Sequence, residues 1–318
     1  MVVVLAGCGS EVARSASPTA VPTGPPVTPF AGSPAEAMAL RFEEDVTVRV
    51  EKIERVDDGE PPVGISVNGD RAVVIDTGGY DEERTKGVVR LGEHGQSNHM
   101  GVIASDLTTS YHRTDISEEQ RALVDEDLSD RTTQTITIAG GVGESDEYVR
   151  RATRGDLPAG KSWYRDERDY GCGLKSELGT FTIGEMVQVD VLEKMAGSAP
   201  VRGEVLDGVD TTLYAGSSSI SELGSTSSFT DAAQMDILEM QGTEVVVSWQ
   251  LWVGPDQLPR RIRITTPIPP SFESDKPTTA VTEVSFSGWG AAVTISPPPG
   301  DQVHVMTGGD RGCIEMGE

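Results

Sequence analysis

Alternation of apolar and polar residues is clearest between positions 244 and 263. Val245, Val247, Trp249, Leu251 and Val253 occupy every second position, which gives one face of a strand a continuous apolar row. Gly254-Pro255-Asp256-Gln257 follows, a turn sequence in which Pro pre-sets one dihedral and Gly and Asp tolerate unusual ones. Leu258, Ile262 and Ile264 then resume an apolar face against Arg261, Arg263 and Thr265. The pattern predicts a hairpin with one dry and one wet face. Thr211-Thr212-Leu213-Tyr214 before it, and residues 282–286 and 292–295 after it, predict further strands. The result is an antiparallel meander whose apolar side needs a cover.

Elsewhere the signals are shorter. Ser33-Pro34-Ala35-Glu36 is a capping box with Pro at the first helical position and predicts a helix over 34–44. Val46, Val48 and Val50 alternate with polar residues as a first strand. Residues 63–67 and 71–76 flank Asn68-Gly69, a strong hairpin signal, and 87–91, 100–105 and 133–138 read as further strands. Ser117-Glu118-Glu119-Gln120 opens a short acidic helix to about residue 128, and Trp163-Tyr164 starts another strand. Thr182-Ile183-Gly184-Glu185 is a third capping box, with Phe181 and Met186 as its staple. Ile183, Met186, Val187, Val191, Leu192 and Met195 share one helical face, and Gly197 is the expected stop. That helix is the expected cover for the meander. Its methionines either pack the core or contact a greasy ligand. No internal repeat is visible, and no domain break follows Gly32.

Composition narrows the function classes. The chain has 318 residues, 36% of them hydrophobic, with 36 Gly and 19 Pro, which suits many short strands and turns. A net charge of −25 argues against nucleic-acid binding, which needs Lys and Arg to displace counterions from phosphates. It also disfavours docking of the folded body on anionic headgroups.

Leu5-Ala6-Gly7-Cys8 resembles the lipobox of bacterial lipoproteins, in which cleavage leaves the Cys as a diacylated first residue. No Lys or Arg precedes it and the apolar run is short, so the true start is expected upstream of Met1. Residues 11–32 are rich in Ser, Pro, Thr, Ala and Gly without apolar period, the composition of a flexible tether. The expected organisation is a truncated signal peptide at 1–7, a lipidated Cys8 with its tether over 8–33, and one domain over 34–318. A chain so anchored would sit on the outer face of the cell membrane. Cys172 and Cys313 remain as a candidate disulfide; the alternative is two free thiols, expected of a domain that stayed in the cytoplasm.

Chemical motifs are weak. His94, His99 and His112 lack a partner spacing that would complete a metal site, and Asp125-Glu126-Asp127 with Asp130 lacks the ligand order of an EF-hand. Gly140-Gly141-Val142-Gly143 has neither the Lys-Ser/Thr nor the helix signal of a P-loop and reads as a turn. No Gly-x-Ser-x-Gly pentad occurs. No metal, cofactor or enzymatic activity is therefore expected. Two basic groups, Arg150, Arg151 and Arg154, then Arg260, Arg261 and Arg263, could meet a lipid phosphate or simply face solvent.

From Leu157 onward the chain resembles the actinobacterial lipoproteins of the LolA/LppX-like superfamily. The matching segments are Leu157-Pro158-Ala159-Gly160-Lys161-Ser162-Trp163, then residues 201–214, Trp252-Val253-Gly254-Pro255-Asp256-Gln257-Leu258-Pro259-Arg260-Arg261, and Phe286-Ser287-Gly288-Trp289-Gly290-Ala291-Ala292-Val293-Thr294. The Ser-rich stretch 217–228 interrupts the match and reads as a loop. The resemblance implies a mainly β (α+β) fold, a single unclosed antiparallel half-barrel with short helices packed on its concave face. It also implies a cavity for acyl chains. Met186, Val187, Met195, Trp249 and Leu251 are the candidate liners of such a cavity. The alternative is a surface interaction or sensory lipoprotein whose half-barrel is filled by its own side chains.

Overall fold

Ser33 starts the fold. In the computed structural model, its hydroxyl accepts from the Glu36 amide at 3.2 Å and its own amide donates to the Glu36 carboxylate at 2.7 Å. This reciprocal cap sets helix α1 (Pro34–Glu43), which buries Ala35, Ala37, Met38 and Phe42. The structure describes residues 28–57, 65–68, 71–74, 82–92, 101–112, 132–141, 144–151, 157–166, 183–184, 186–219, 245–268 and 278–306.

Strand β1 (Val46–Asp57) is the hub of the sheet. It pairs antiparallel with β4 (Glu82–Leu91) on one side and β13 (Thr278–Ser287) on the other. From β4 the sheet runs outward through β5 (Val102–His112), β6 (Thr133–Gly141), β7 (Glu144–Arg151), β8 (Trp163–Asp166) and β14 (Val303–Met306). From β13 it runs through β12 (Pro259–Ile268), β11 (Val246–Val253), β10 (Val209–Ser219) and β9 (Val201–Leu206). Among the described residues these twelve strands form one open sheet with β14 and β9 at its edges. The remaining pair, β2 (Ile65–Asn68) and β3 (Arg71–Val74), is a separate hairpin, with Asn68 opposite Arg71 as the Asn-Gly signal predicts. The fold is thus the expected mainly β, unclosed half-barrel with helices on one face.

Period two sorts the side chains. On β1, Val46, Val48 and Val50 are buried while Arg49 and Glu51 are exposed. The buried row continues across the sheet in Phe286, Val284, Ile262, Ile264, Leu251, Trp249 and Val253. Helix α1 and a second helix, α2 (Val189–Ala196), lie on this inner face, with Met38, Phe42, Val191, Leu192 and Met195 in the same apolar cluster. On the outer face, residues 288–302 cross from β13 to β14. Thr47 donates its hydroxyl to the Ala291 carbonyl, Gly290 donates to Thr47 O at 2.9 Å, and Ile295 packs on Ile136, Tyr148, Trp163 and Val303.

The structure corrects several expectations. The helix expected from 182 to 197 is interrupted: Ile183, Gly184 and Met186 are helical, Gln188 is extended (φ −60°, ψ 147°), and a second helical stretch runs over Val189–Ala196, ending at Gly197. Gly184 and the β-branched Val187 and Val189 make this a weak stretch for helix, and the break still buries both apolar groups. Residues 292–295 are not a strand but part of the outer crossing. Ser217, Ser218 and Ser219 belong to β10, opposite Ser248, Val247 and Val246, so the Ser-rich stretch begins inside the sheet. Strands β7, β9 and β14 were not predicted from alternation, and β14 pairs with β8 in parallel. The expected leader 1–7, Cys8, the tether as far as residue 27, the helix at 117–128, Cys172, Cys313, His94, His99, Arg154 and the acidic run 125–130 lie outside the described residues.

Candidate functional site

Five side chains are the sequence-derived candidates for a ligand cavity, and the structure brings all five into one cluster. Met186, Val187, Met195 and Leu251 are fully buried, and Trp249 is 5% exposed. Trp249 and Leu251 stand on the inner face of β11, opposite Ile264 and Ile262 of β12. Opposite them on β10 are Gly216 and Tyr214; the Trp249 indole lies against Gly216, where any Cβ would collide with the ring. Met195 projects from α2 into the same cluster, and Met186 and Val187 from the segment before it. Two clefts lined by described residues, one on the outer face and one beside the end of α1, touch none of the five.

Beyond this apolar floor the inner face turns polar. Period two on β1 carries the inward row from Val50 to Lys52 and then Glu54. Lys52 is 1% exposed, and its ammonium donates to Glu54 at 2.9 Å and lies 3.0 Å from the Glu83 carboxylate of β4. Beside it, fully buried Thr85 shares a 2.9 Å hydrogen bond with Thr109 of β5. Further along β5, Ser105 is fully buried and its hydroxyl has no partner among the described residues. Burial alone would lower the Lys52 pKa; attraction to Glu54 and then Glu83 outweighs it, and the net shift is upward. Sequence reading missed this cluster, although a Lys at an inward position of a clear alternation, two residues before a Glu, was the signal.

The outer face carries the arginines. Glu82 is buried between Arg55, at 2.5 Å, and Arg84. Burial by itself would raise the Glu82 carboxyl, but hydrogen bonds from Arg84 and Arg55 hold it below the usual glutamate range. Its stabilising effect is therefore present above the ordinary glutamate pKa and is lost as pH falls through the depressed one. Glu82→Gln is expected to cost about 0.5–1 kcal/mol at neutral pH, because both arginines are half exposed. Denaturation across pH 3–7 should show the difference from wild type shrinking towards acid; a constant difference would reject the pairing as its source.

The two predicted basic groups separate. Arg260 is bound to Asp256 at 2.7 Å, and Arg261 bonds Glu204 at 2.7 Å while resting 5.5 Å from the Trp252 ring centre. Arg150 bonds Gln134 at 2.6 Å and stacks 5.1 Å from the centre of Trp163. Of the glycine run, Gly140 and Gly141 end β6, with Gly141 opposite Glu144 of β7, and residues 142–143 lie outside the described residues. His112 ends β5 opposite Glu82. Among the described residues no three His, Cys, Asp or Glu side chains are grouped as metal ligands, and no helix is long and apolar enough to cross a membrane.

No family model matches the chain. No curated protein matches it either. Among solved structures, the chain is similar to the lipoprotein LppX of Mycobacterium tuberculosis, with a TM-score of 0.36 and 13% identity, over 83% of this chain and 96% of that one. The fold described above stands on the strand order itself.

Proposed function

We infer that the protein is an exported, lipid-anchored lipoprotein that holds a hydrophobic ligand of the acyl-chain class between its helices and the inner face of the half-barrel. The observation that carries this reading is the chemistry of that face. Met38, Phe42, Val191, Leu192 and Met195 meet the sheet through apolar contact, so an acyl chain would offer the sheet the same chemistry. Methionine side chains adapt to irregular shapes, and each methylene buried contributes about 0.8 kcal/mol. Selectivity among acyl chains would be weak, because a methylene more or less changes little. With the helices in place the five candidate liners are covered, so a ligand would enter by displacing α2. The anchor rests on Leu5-Ala6-Gly7-Cys8 and the polar tether after it. The role is binding without turnover.

Complete burial of Met186, Val187, Met195 and Leu251 favours a second reading, in which the half-barrel is filled by its own side chains and the protein is a tethered interaction module. Organic extraction of the purified full-length protein, followed by mass spectrometry, separates the two. Stoichiometric noncovalent lipid supports the carrier reading and identifies its class. A clean extract from folded protein, with no thermal shift on adding fatty acid, assigns the interaction module.

A further inference from the structure

A different hollow lies on the outer face of the sheet, away from the helices, with a volume of about 590 Å³. That is the size of a small-molecule site. Its floor is a ladder across four strands. Lys86 of β4 lies opposite Glu51 of β1, Glu51 opposite Ser285 of β13, and Ser285 opposite Arg261 of β12. One row along, Arg49 faces Ser287. The two serines are short residues among long ones, which opens the hollow and supplies two hydroxyls.

The wall is the turn joining β9 to β10, where Leu206 and Asp207 reach the hollow. Asp207 and Gly208 both have positive φ (49° and 79°), the tight turn that matches hairpin twist. Gly203 and Glu204 together oppose Thr211, a bulge that leaves Glu204 on the outer face, where it binds Arg261.

The donors here are not used up. Among the described residues Arg49 and Lys86 have no ion-pair partner. Arg261 is held by Glu204 and Trp252, and its buried Nε forms a looser ion pair with Glu283 at 3.6 Å, so Arg261 adds charge to the rim while Arg49 and Lys86 supply the uncommitted donors. The hollow also holds two carboxylates, Glu51 and Asp207. A plain anion would meet both signs of charge; a ligand with both signs would match them.

We propose that this groove binds a small zwitterion that joins a phosphate to a protonated amine, the chemistry of a phosphoethanolamine group. The phosphate lies between Arg49 and Arg261 and accepts from the Ser285 and Ser287 hydroxyls. Donors stand on both sides of β13, an arrangement that a tetrahedral phosphate accepts more fully than a planar carboxylate. The amine faces Glu51 and Asp207. The site is independent of the inner face, and its ligand is either a free phosphoethanolamine or a membrane-lipid headgroup.

Calorimetric titration of the full-length protein with glycerophosphoethanolamine tests this, with inorganic phosphate and ethanolamine as half-ligands. The expected result is binding about tenfold or more tighter than either half, weakened about tenfold by Arg49→Gln and by Ser285→Leu at unchanged Tm. No binding, binding unchanged in both variants, or inorganic phosphate binding as tightly would overturn the proposal. A flotation arm with the Cys8→Ser protein separates the sources once the soluble ligand binds. Retention on phosphatidylethanolamine vesicles above phosphatidylcholine vesicles assigns the lipid headgroup, and equal retention assigns the free compound.

Discussion

Lys52→Ala is expected to destabilise the protein by about 3–5 kcal/mol, measured by urea denaturation at neutral pH, because removing one partner of a buried ion pair leaves the other uncompensated. Lys52 is 1% exposed, and Glu54 and Glu83 flank its ammonium at 2.9 and 3.0 Å. Replacing Lys52, Glu54 and Glu83 together by apolar residues of similar size should recover most of the loss. The pH dependence follows from the raised pKa. A raised lysine stabilises fully below its unfolded value, ordinarily 10.5, and the contribution disappears as pH rises through the higher folded value. Wild-type stability should therefore decline above about pH 10.5, and Lys52→Met should flatten that limb. A Lys52→Ala protein within 1 kcal/mol of wild type would mean that water reaches the cluster.

Trp249→Ala should cost about 3–5 kcal/mol, because the indole is a buried part of the core and the sheet cannot collapse into its volume. Gly216→Val should cost about 1–3 kcal/mol for the converse reason, since the new side chain needs space that the ring occupies. The two effects should not add. In the Trp249→Ala background, Gly216→Val should be much less harmful, and a thermal-melt double-mutant cycle reads this as a coupling of about 1 kcal/mol or more. Strict additivity would show that the ring leaves Gly216 without strain. This burial also limits what substitutions at Trp249 and Leu251 can say about ligands: polar replacements there would unfold the protein before reporting on lipid. Lipid content of the unaltered protein is the sounder test.

The strands β11 to β13 were largely legible in sequence because their alternation is clear and their turn, Gly254-Pro255-Asp256-Gln257, is chemically explicit, whereas β9, exposed along most of its length, offered no alternation to read. The turn forms where it was read, but the left-handed dihedral falls on Gln257 (φ 59°) instead of Gly254 or Asp256, with the Gln257 amide bonded to Gly254 O at 2.9 Å. The far half was less legible. Strand β7, Glu-Ser-Asp-Glu-Tyr-Val-Arg-Arg, has no run of apolar residues in alternation: its two apolar residues, Tyr148 and Val149, are adjacent and so bury on opposite faces, and its other positions are polar. Strand β14 has four residues and exists through pairing with β8, a partner about 140 residues earlier in the chain. Such long-range pairing leaves no local signal. The candidate liners fall in one buried cluster, but periodicity reports a buried face whether its cover is a ligand or a helix. The Lys52 cluster was overlooked because a charged residue in a strand suggests a wet face until its register is followed.

The position of β1 has a consequence for how the chain is made. Strands β4 to β8 can zip up through short-range hairpins as soon as they are synthesised, and so can β9 to β13. Within the sheet the two halves are joined by strand pairing at β1, whose residues 49–57 pair with 279–287, more than 200 residues later. Until β13 arrives, one entire edge of the central strand stands open beside the longest apolar rows of the molecule. Joining contacts so distant is slow, because the loop must close before any pairing offsets its entropy. A chain in which only the first half has folded would present that edge for pairing with other chains. A chaperone that shields this edge until residue 287 has emerged would raise the yield of folded protein.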